Sequence, residues 1–218
     1  MDPELRRAWT EIVTVEDYEE HMASIGQAQA AAELTRHLIQ SASLRPGSRI
    51  SIAGAGTGQM FDFLAPAVFR PHRLICADLN PVFLARLRER LEMHGLEAEI
   101  LEDDIERTAL APRPDLLLAT LLLEHIAWPR GVDAFARLRP RNCGIVLQEN
   151  PPNMSVAVTP GRRLPPSIAK AVETAHPTLV RRNDLIVAMT ERGYPCRETE
   201  VREVADGKRL VGLLFGGT

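Results

Sequence analysis

Apolar positions along the chain follow two rhythms. Between residues 25 and 41, Ile25, Ala28, Ala31, Leu34 and Leu38 recur at helical spacing, while Gln29, Glu33, Arg36 and Gln40 fall outside that stripe. This pattern predicts an amphipathic helix near 25–41 with one buried face. A shorter helix of about two turns is expected near 15–23. Thr14 stands three residues before Asp17, and Ser24 three before Gln27, both close to the spacing that caps a first turn. Arg45-Pro46-Gly47 then reads as a turn.

From residue 49 short apolar runs alternate with helical stretches, which is the pattern of a parallel sheet covered on both faces. The predicted strands are Arg49–Ala53, Arg73–Ala77, Ala98–Leu101, Asp115–Ala119 and Gly144–Gln148, with helices near 58–65, 81–94 and 129–138. The helix at 81–94 carries its own punctuation: Asn80 to cap it, Pro81 at its first position and Gly95 just past its end. The segment holding Pro151, Pro152, Pro160, Pro165 and Pro166 reads as an ordered loop or lid, too poor in N–H donors for a helix or central strand. A last helix is expected near 184–192, capped by Asn183 and stopped by Gly193. Two antiparallel strands joined across Asp206-Gly207 close the chain.

The 218 residues suffice for one sizeable domain, and 45% apolar content is enough for a core. A net charge of −3 provides no overall positive field for a polyanion, which disfavours a nucleic-acid partner. Cys76, Cys143 and Cys196 have neither zinc-site nor redox spacing and read as core residues in a reducing cytosol. The start, Met1-Asp2-Pro3-Glu4-Leu5-Arg6-Arg7, lacks the basic and apolar run of an export signal. The longest apolar stretch, Leu116 to Leu123, is far short of the roughly 20 residues that cross a bilayer. A cytoplasmic protein with no membrane partner is expected, its oligomeric state left open.

The sharpest motif is Ile50-Ser51-Ile52-Ala53-Gly54-Ala55-Gly56-Thr57-Gly58, a strand entering a glycine-rich turn. Glycines there let the backbone turn tightly and let a nucleotide approach without a Cβ in the way. A dinucleotide fingerprint, GxGxxG, would place its last glycine at position 59, which is Gln59, so a nicotinamide-dependent oxidoreductase is the weaker reading. Asp78, just past the second strand, is placed to accept from both hydroxyls of an adenosine ribose.

With the form GxGxG and Asp78, the chain resembles the class I S-adenosylmethionine-dependent methyltransferases. The likeness continues over roughly residues 25–218, through Asp103-Asp104-Ile105, Pro114-Asp115-Leu116-Leu117-Leu118-Ala119-Thr120, the turn Leu138-Arg139-Pro140 and the terminal hairpin. It implies a Rossmann-like, mostly parallel seven-stranded sheet with an antiparallel C-terminal hairpin and an N-terminal helical lid. The lid would be residues 1–45 and the S-adenosylmethionine-binding domain residues 46–218. It implies S-adenosylmethionine as cofactor, held by Gly54, Ala55, Gly56, Gly58, Asp78, Leu79, Asp104, Ile105 and Leu121. The methyl would go to an oxygen or nitrogen of a small molecule; a non-catalytic binder of the same cofactor is the other alternative. One departure is Ile52, where the family commonly has an acid, so the methionine end falls to the Ala53 carbonyl and to side chains such as Gln29.

Displacement from a sulfonium needs alignment and a proton acceptor, not a metal, and no metal-ligand spacing is present. His125, in Leu123-Glu124-His125-Ile126, is the candidate base, with an expected acidic limb near its ordinary pKa of about 6.5. Glu124 reads as a solvated helix-start residue. Glu149 at the fifth strand's end, with Tyr18 and His21 one turn apart in the opening helix, are candidate substrate contacts. Asn150-Pro151-Pro152-Asn153 follows the wrong strand and lacks an aromatic fourth residue, so it is not read as an amide-methylating motif. Arg162-Arg163 and Arg181-Arg182 read as solvated loop charges rather than an anion site.

Overall fold

The computed structural model describes residues 2–152, 154, 162–175 and 178–217. Seven strands form one mixed sheet: β1 (Arg49–Ala53), β2 (Arg73–Asp78), β3 (Ala98–Glu102), β4 (Leu116–Thr120), β5 (Asn142–Glu149), β6 (Cys196–Glu203) and β7 (Arg209–Gly216). Their order is β3-β2-β1-β4-β5-β7-β6, with the first five parallel and β7 antiparallel to both β5 and β6. The order reverses between β1 and β4, the position where ligands bind open α/β sheets. This is the Rossmann-like sheet with an antiparallel hairpin that the family resemblance implies. The β6–β7 turn gains its left-handed geometry from Asp206 and Gly207, at φ +63° and +68°.

Helices cover both faces. On one lie α3 (Gln27–Ser41) and α4 (Pro81–Met93); on the other lie α5 (Trp128–Leu138) and α7 (Arg182–Glu191). The periodic stripe of α3 is buried as its spacing predicts. It approaches the sheet closely because Gly144 and Gly212 present no side chain: a Cβ on Gly144 would stand 2.8 Å from Leu118 and 3.3 Å from Leu38, and one on Gly212 3.3 Å from Leu34. Residues 27–41 are thus part of the main core, whereas the preceding segment sits elsewhere. Cys76 and Cys143 are buried, and burial pushes the Cys76 thiol up to about 12. No helix among the described residues is long and apolar enough to cross a membrane.

Local chemistry explains where sequence expectation and structure part. Asn80 caps α4 as expected, accepting from Val82 and Phe83 N–H, and Gly95 follows its end at φ +59°. The helix expected near 58–65 is only a 3-10 turn, Gln59–Phe63, ended by extended Leu64 before the Ala65-Pro66 bend. Ser24 does not cap α3; it donates to the His21 carbonyl at the end of α2 (Val15–Ser24), and α3 starts instead from left-handed Gly26. Asn183 lies inside α7, whose N-cap is Arg181 without a side-chain bond.

Two helices escape the sequence pattern. Asp2 caps α1 (Pro3–Arg7), which runs into a π-helical turn over Ala8–Ile12. The proline segment is not all loop, because Pro166 occupies the first position of α6 (Pro166–Thr174), where a missing N–H costs nothing. Pro160 and Asn153 lie outside the described residues. Segment 8–13, Phe83 of α4 and α6 make a satellite apolar cluster of Ala8, Val13, Phe83, Ile168 and Ala171. The N-termini of α2 and α6 interlock: Ser167 N–H donates to Asp17, and Thr14 N–H donates to the Ser167 hydroxyl.

Candidate functional site

A cavity opens at the C-terminal ends of β1, β2, β4 and β5, walled on the outer side by the π-turn, α2 and α6. The glycine loop forms its floor. Gly54, Gly56 and Gly58 all have positive φ, +66°, +57° and +70°, a conformation only glycine adopts without strain. A Cβ on Gly54 would stand 2.8 Å from Leu122 Cδ1, and one on Gly56 3.4 Å from the Tyr18 hydroxyl. The turn is pinned to β2: Ala55 N–H donates to the Ala77 carbonyl and Gly56 N–H to Asp78 Oδ2 at 2.8 Å.

Asp78 is half-buried, and its Oδ1 accepts from Asn80 N–H at 2.9 Å. Burial pushes its pKa up, opposed by the N–H groups of Asn80 and Gly56. Each carboxylate oxygen keeps a second lone pair for hydroxyl donors. Leu79, Asp104, Ile105 and Leu121 line the same cavity, Leu121 at φ +53°. Asp104 also caps the short turn Ile105–Arg107 through Glu106 N–H, while Asp103 is bound to Thr108 and Ala109. Two residues expected at the cofactor do not line the cavity. Gly58 faces α4, where a Cβ would stand 2.3 Å from Leu87 Cδ1, so its glycine serves packing; Ala55 turns into the core and contributes backbone only.

The cavity also joins polar and aromatic groups. Trp9 packs edge-on against His125 with ring centroids 4.5 Å apart, and Tyr18 lies 5.1 Å from Phe83. Burial, then the charges of Asp78 and Glu19, drive the Tyr18 hydroxyl well above its ordinary range, so it stays protonated. His21 also lines the cavity, its pKa lowered by burial and by Arg162 and Lys208.

His125 reaches the cavity as expected, but its surroundings change its chemistry. Burial lowers its pKa to about 4, and Nδ1 is buried with no hydrogen-bond partner among the described residues. The expected limb near 6.5 therefore does not belong to this imidazole, which is neutral throughout the physiological range. Glu124, expected in solvent, is 5% exposed and lines the cavity. Its Oε1 accepts from Gln148 N–H at 2.7 Å, its Oε2 is buried without a partner, and burial raises its pKa to about 7. Gln27 donates to Gln148 at 2.6 Å beside it.

Three other expectations are corrected. Glu149 does not line the cavity; it binds Arg182 through two bonds of 2.8 and 2.7 Å and Arg209 at 3.0 Å. Gln29 is exposed on α3 and bonds Glu33, so it holds nothing at the cofactor's methionine end. Arg162 and Arg182 are not freely solvated: Arg162 pairs with Asp206 at 2.6 Å, and Arg182 with Glu149.

Glu124 and His125 pull stability in opposite directions with pH. Glu124 keeps its proton up to about pH 7 when folded, against 4.5 when unfolded. Its contribution is complete below 4.5 and lost as pH rises through 7. His125 loses its proton above about pH 4 when folded, against 6.5 unfolded, so its contribution is present above 6.5 and lost as pH falls through 4. Glu124→Gln removes the first effect and leaves the second. From about pH 5 to 6.5 the variant's unfolding free energy is expected to rise by roughly 1–2 kcal/mol relative to wild type. Urea unfolding at the two pH values checks this; parallel curves would contradict a burial-shifted Glu124.

Residues 50–140 match a family model described as a methyltransferase domain. No curated protein sequence matches the chain. Among solved structures, the chain is similar to magnesium protoporphyrin IX methyltransferase from Synechocystis PCC 6803 with bound S-adenosylhomocysteine, at TM-score 0.67 and 14% identity, over 99% of this chain and 93% of that one. It is similar to the N-methyltransferase NodS from Bradyrhizobium japonicum WM9 in complex with S-adenosylhomocysteine, at TM-score 0.64 and 14% identity, over 99% of each chain. It is also similar to the [4+2]-cyclase SpnF, at TM-score 0.65 and 14% identity, over 87% and 81%. At these identities the likeness is one of fold, and the cyclase shows that this fold also serves other chemistry.

Proposed function

We propose that the chain is a class I S-adenosylmethionine-dependent methyltransferase that transfers the methyl to an oxygen or nitrogen of a small molecule. The observation that carries this reading is the glycine turn bonded through Gly56 to Asp78 and opening on a partly aromatic cavity. The tight turn at Gly54 and Gly56 and the half-buried Asp78 carboxylate fit an adenosine group. Asp78 would accept from its ribose hydroxyls, Asp104 and Ile105 would meet the adenine edge, and Leu79 and Leu121 would flank it. Bound there, the cofactor supplies a methyl already activated on a sulfonium.

The chain's own task is to place the acceptor and exclude water. Residues 2–24, the forward part of the N-terminal lid, do the second by closing the cavity with Trp9, Val13 and Tyr18. His125 and His21 contact the acceptor as neutral imidazoles. The apolar and aromatic side chains that line the cavity, with no lysine or arginine among them, suit a small acceptor better than a nucleic-acid polymer.

The test is incubation of purified chain with methyl-labelled S-adenosylmethionine and a panel of small hydroxy and amino compounds. Label is expected in a small product, with release of S-adenosylhomocysteine. Label confined to the donor across the panel, or appearing only in added protein or RNA, would contradict the reading.

A further inference from the structure

We infer that the acceptor is an amine carried on an apolar, part-aromatic body, and that Glu124 Oε2 is the atom that receives its N–H. This rests on the reading of the cavity as the methyl-transfer site and narrows it. The first observation is charge. Among the described residues, the charged side chains lining the cavity are Asp78, Asp103, Asp104 and Glu124, with no lysine or arginine. The arginines singled out in the sequence do not relieve this, since Arg162 is held by Asp206 and Arg182 by Glu149. A carboxylate or phosphate on the acceptor would enter a cavity of its own sign without a partner.

The second observation is the state of each acid. Asp103 is bound to Thr108 and Ala109, Asp104 caps a turn, and Asp78 holds Gly56 and Asn80. Glu124 alone among them has a carboxylate oxygen that is buried and without a partner among the described residues. Its other oxygen is fixed by Gln148 N–H, so the carboxyl group is held in place. A buried carboxylate oxygen left bare is costly, and an N–H⁺ donor is the group that offsets the cost best. The burial that raises the pKa of Glu124 reports the same lack of a resident cation. The cavity lining also includes apolar Val13, Phe83, Ile168 and Val172 and the ring of Trp9. The cavity thus pairs one unpartnered carboxyl oxygen with apolar and aromatic lining residues.

Three probes of one shape and different charge test this: 2-phenylethylamine, 2-phenylethanol and 3-phenylpropanoate, titrated into the full chain loaded with S-adenosylhomocysteine. The amine is expected to bind about tenfold or more tighter than the alcohol, as one charge-assisted hydrogen bond gives, and the acid weakest. Glu124→Gln keeps an oxygen for Gln148 N–H; it should erase the difference between amine and alcohol while leaving the affinities for the alcohol and for S-adenosylhomocysteine unchanged. Alcohol or acid binding as tight as the amine in wild type, no amine binding, or an amine preference surviving in Glu124→Gln would each overturn the inference. So would loss of S-adenosylhomocysteine binding in the variant, which would give Glu124 to the cofactor. Failure of S-adenosylhomocysteine to bind wild type would instead remove the cofactor assignment and this inference with it.

Discussion

Asp78→Ala is expected to weaken S-adenosylhomocysteine binding by roughly 10²–10⁴-fold. The carboxylate stands at the end of β2 with both oxygens directed at the rim of the sheet, where Gly56 and Asn80 N–H groups fix them at 2.8 and 2.9 Å. Two ribose hydroxyls donating to that fixed carboxylate are worth about 1.5–3 kcal/mol each, or about 3–6 kcal/mol together. Alanine also leaves the Gly56 and Asn80 N–H groups without acceptors, loosening the loop that forms the floor. Asp78→Asn keeps one acceptor oxygen and should fall between alanine and wild type. Calorimetric titration of the three proteins checks the order, and an unchanged dissociation constant for the alanine variant would place the ribose elsewhere.

Arg90→Met is expected to remove about 3–5 kcal/mol of unfolding free energy, as loss of one partner of a buried ion pair does. Arg90 projects from α4 and is 3% exposed. It donates to both oxygens of Asp62 at 3.0 Å, to Glu19 of α2 at 2.8 Å, and to the Thr57 carbonyl inside the glycine loop. One guanidinium therefore ties α2, the 3-10 turn and the glycine loop to α4. Glu19 keeps Arg86 at 3.5 Å and Asp62 keeps His94 at 2.9 Å, which places the expected loss toward the lower end of the range. Arg90→Lys retains charge but not the planar fork and should recover only part of it. Urea unfolding measures the loss, and faster protease cleavage within residues 2–24 would mark release of that segment. Unchanged unfolding and cleavage would show that the clamp contributes nothing.

What the sequence made legible is what local chemistry decides. The strand β1, the Asn80 cap and the glycine turn are each written in a few adjacent residues, and each is found where expected. Asp78 was legible for the same reason, since it needs only the end of a strand and a fixed distance from the loop. Glu124 was not. Its burial depends on Gln148 N–H, 24 residues away and on the neighbouring strand, and nothing around Leu123-Glu124-His125 announces it. His125 was found as a residue but not as a chemical state, because its lowered pKa comes from elements that close over it. Of the N-terminal wall, the helix near 15–23 is legible but the segment 3–12 is not: its π-turn has no periodic signature, although Asp2-Pro3 is a recognisable helix start. α6 was hidden by its own prolines, which forbid a helix interior but suit a first turn.

The central claim is that the cavity over Gly54, Gly56 and Asp78 is an S-adenosylmethionine site. Isothermal titration of the wild-type chain with S-adenosylhomocysteine and, separately, with NAD tests it most directly. The account predicts saturable one-site binding of S-adenosylhomocysteine, displaced by S-adenosylmethionine, and no saturable response to NAD. Saturable binding of NAD with no response to S-adenosylhomocysteine would contradict it.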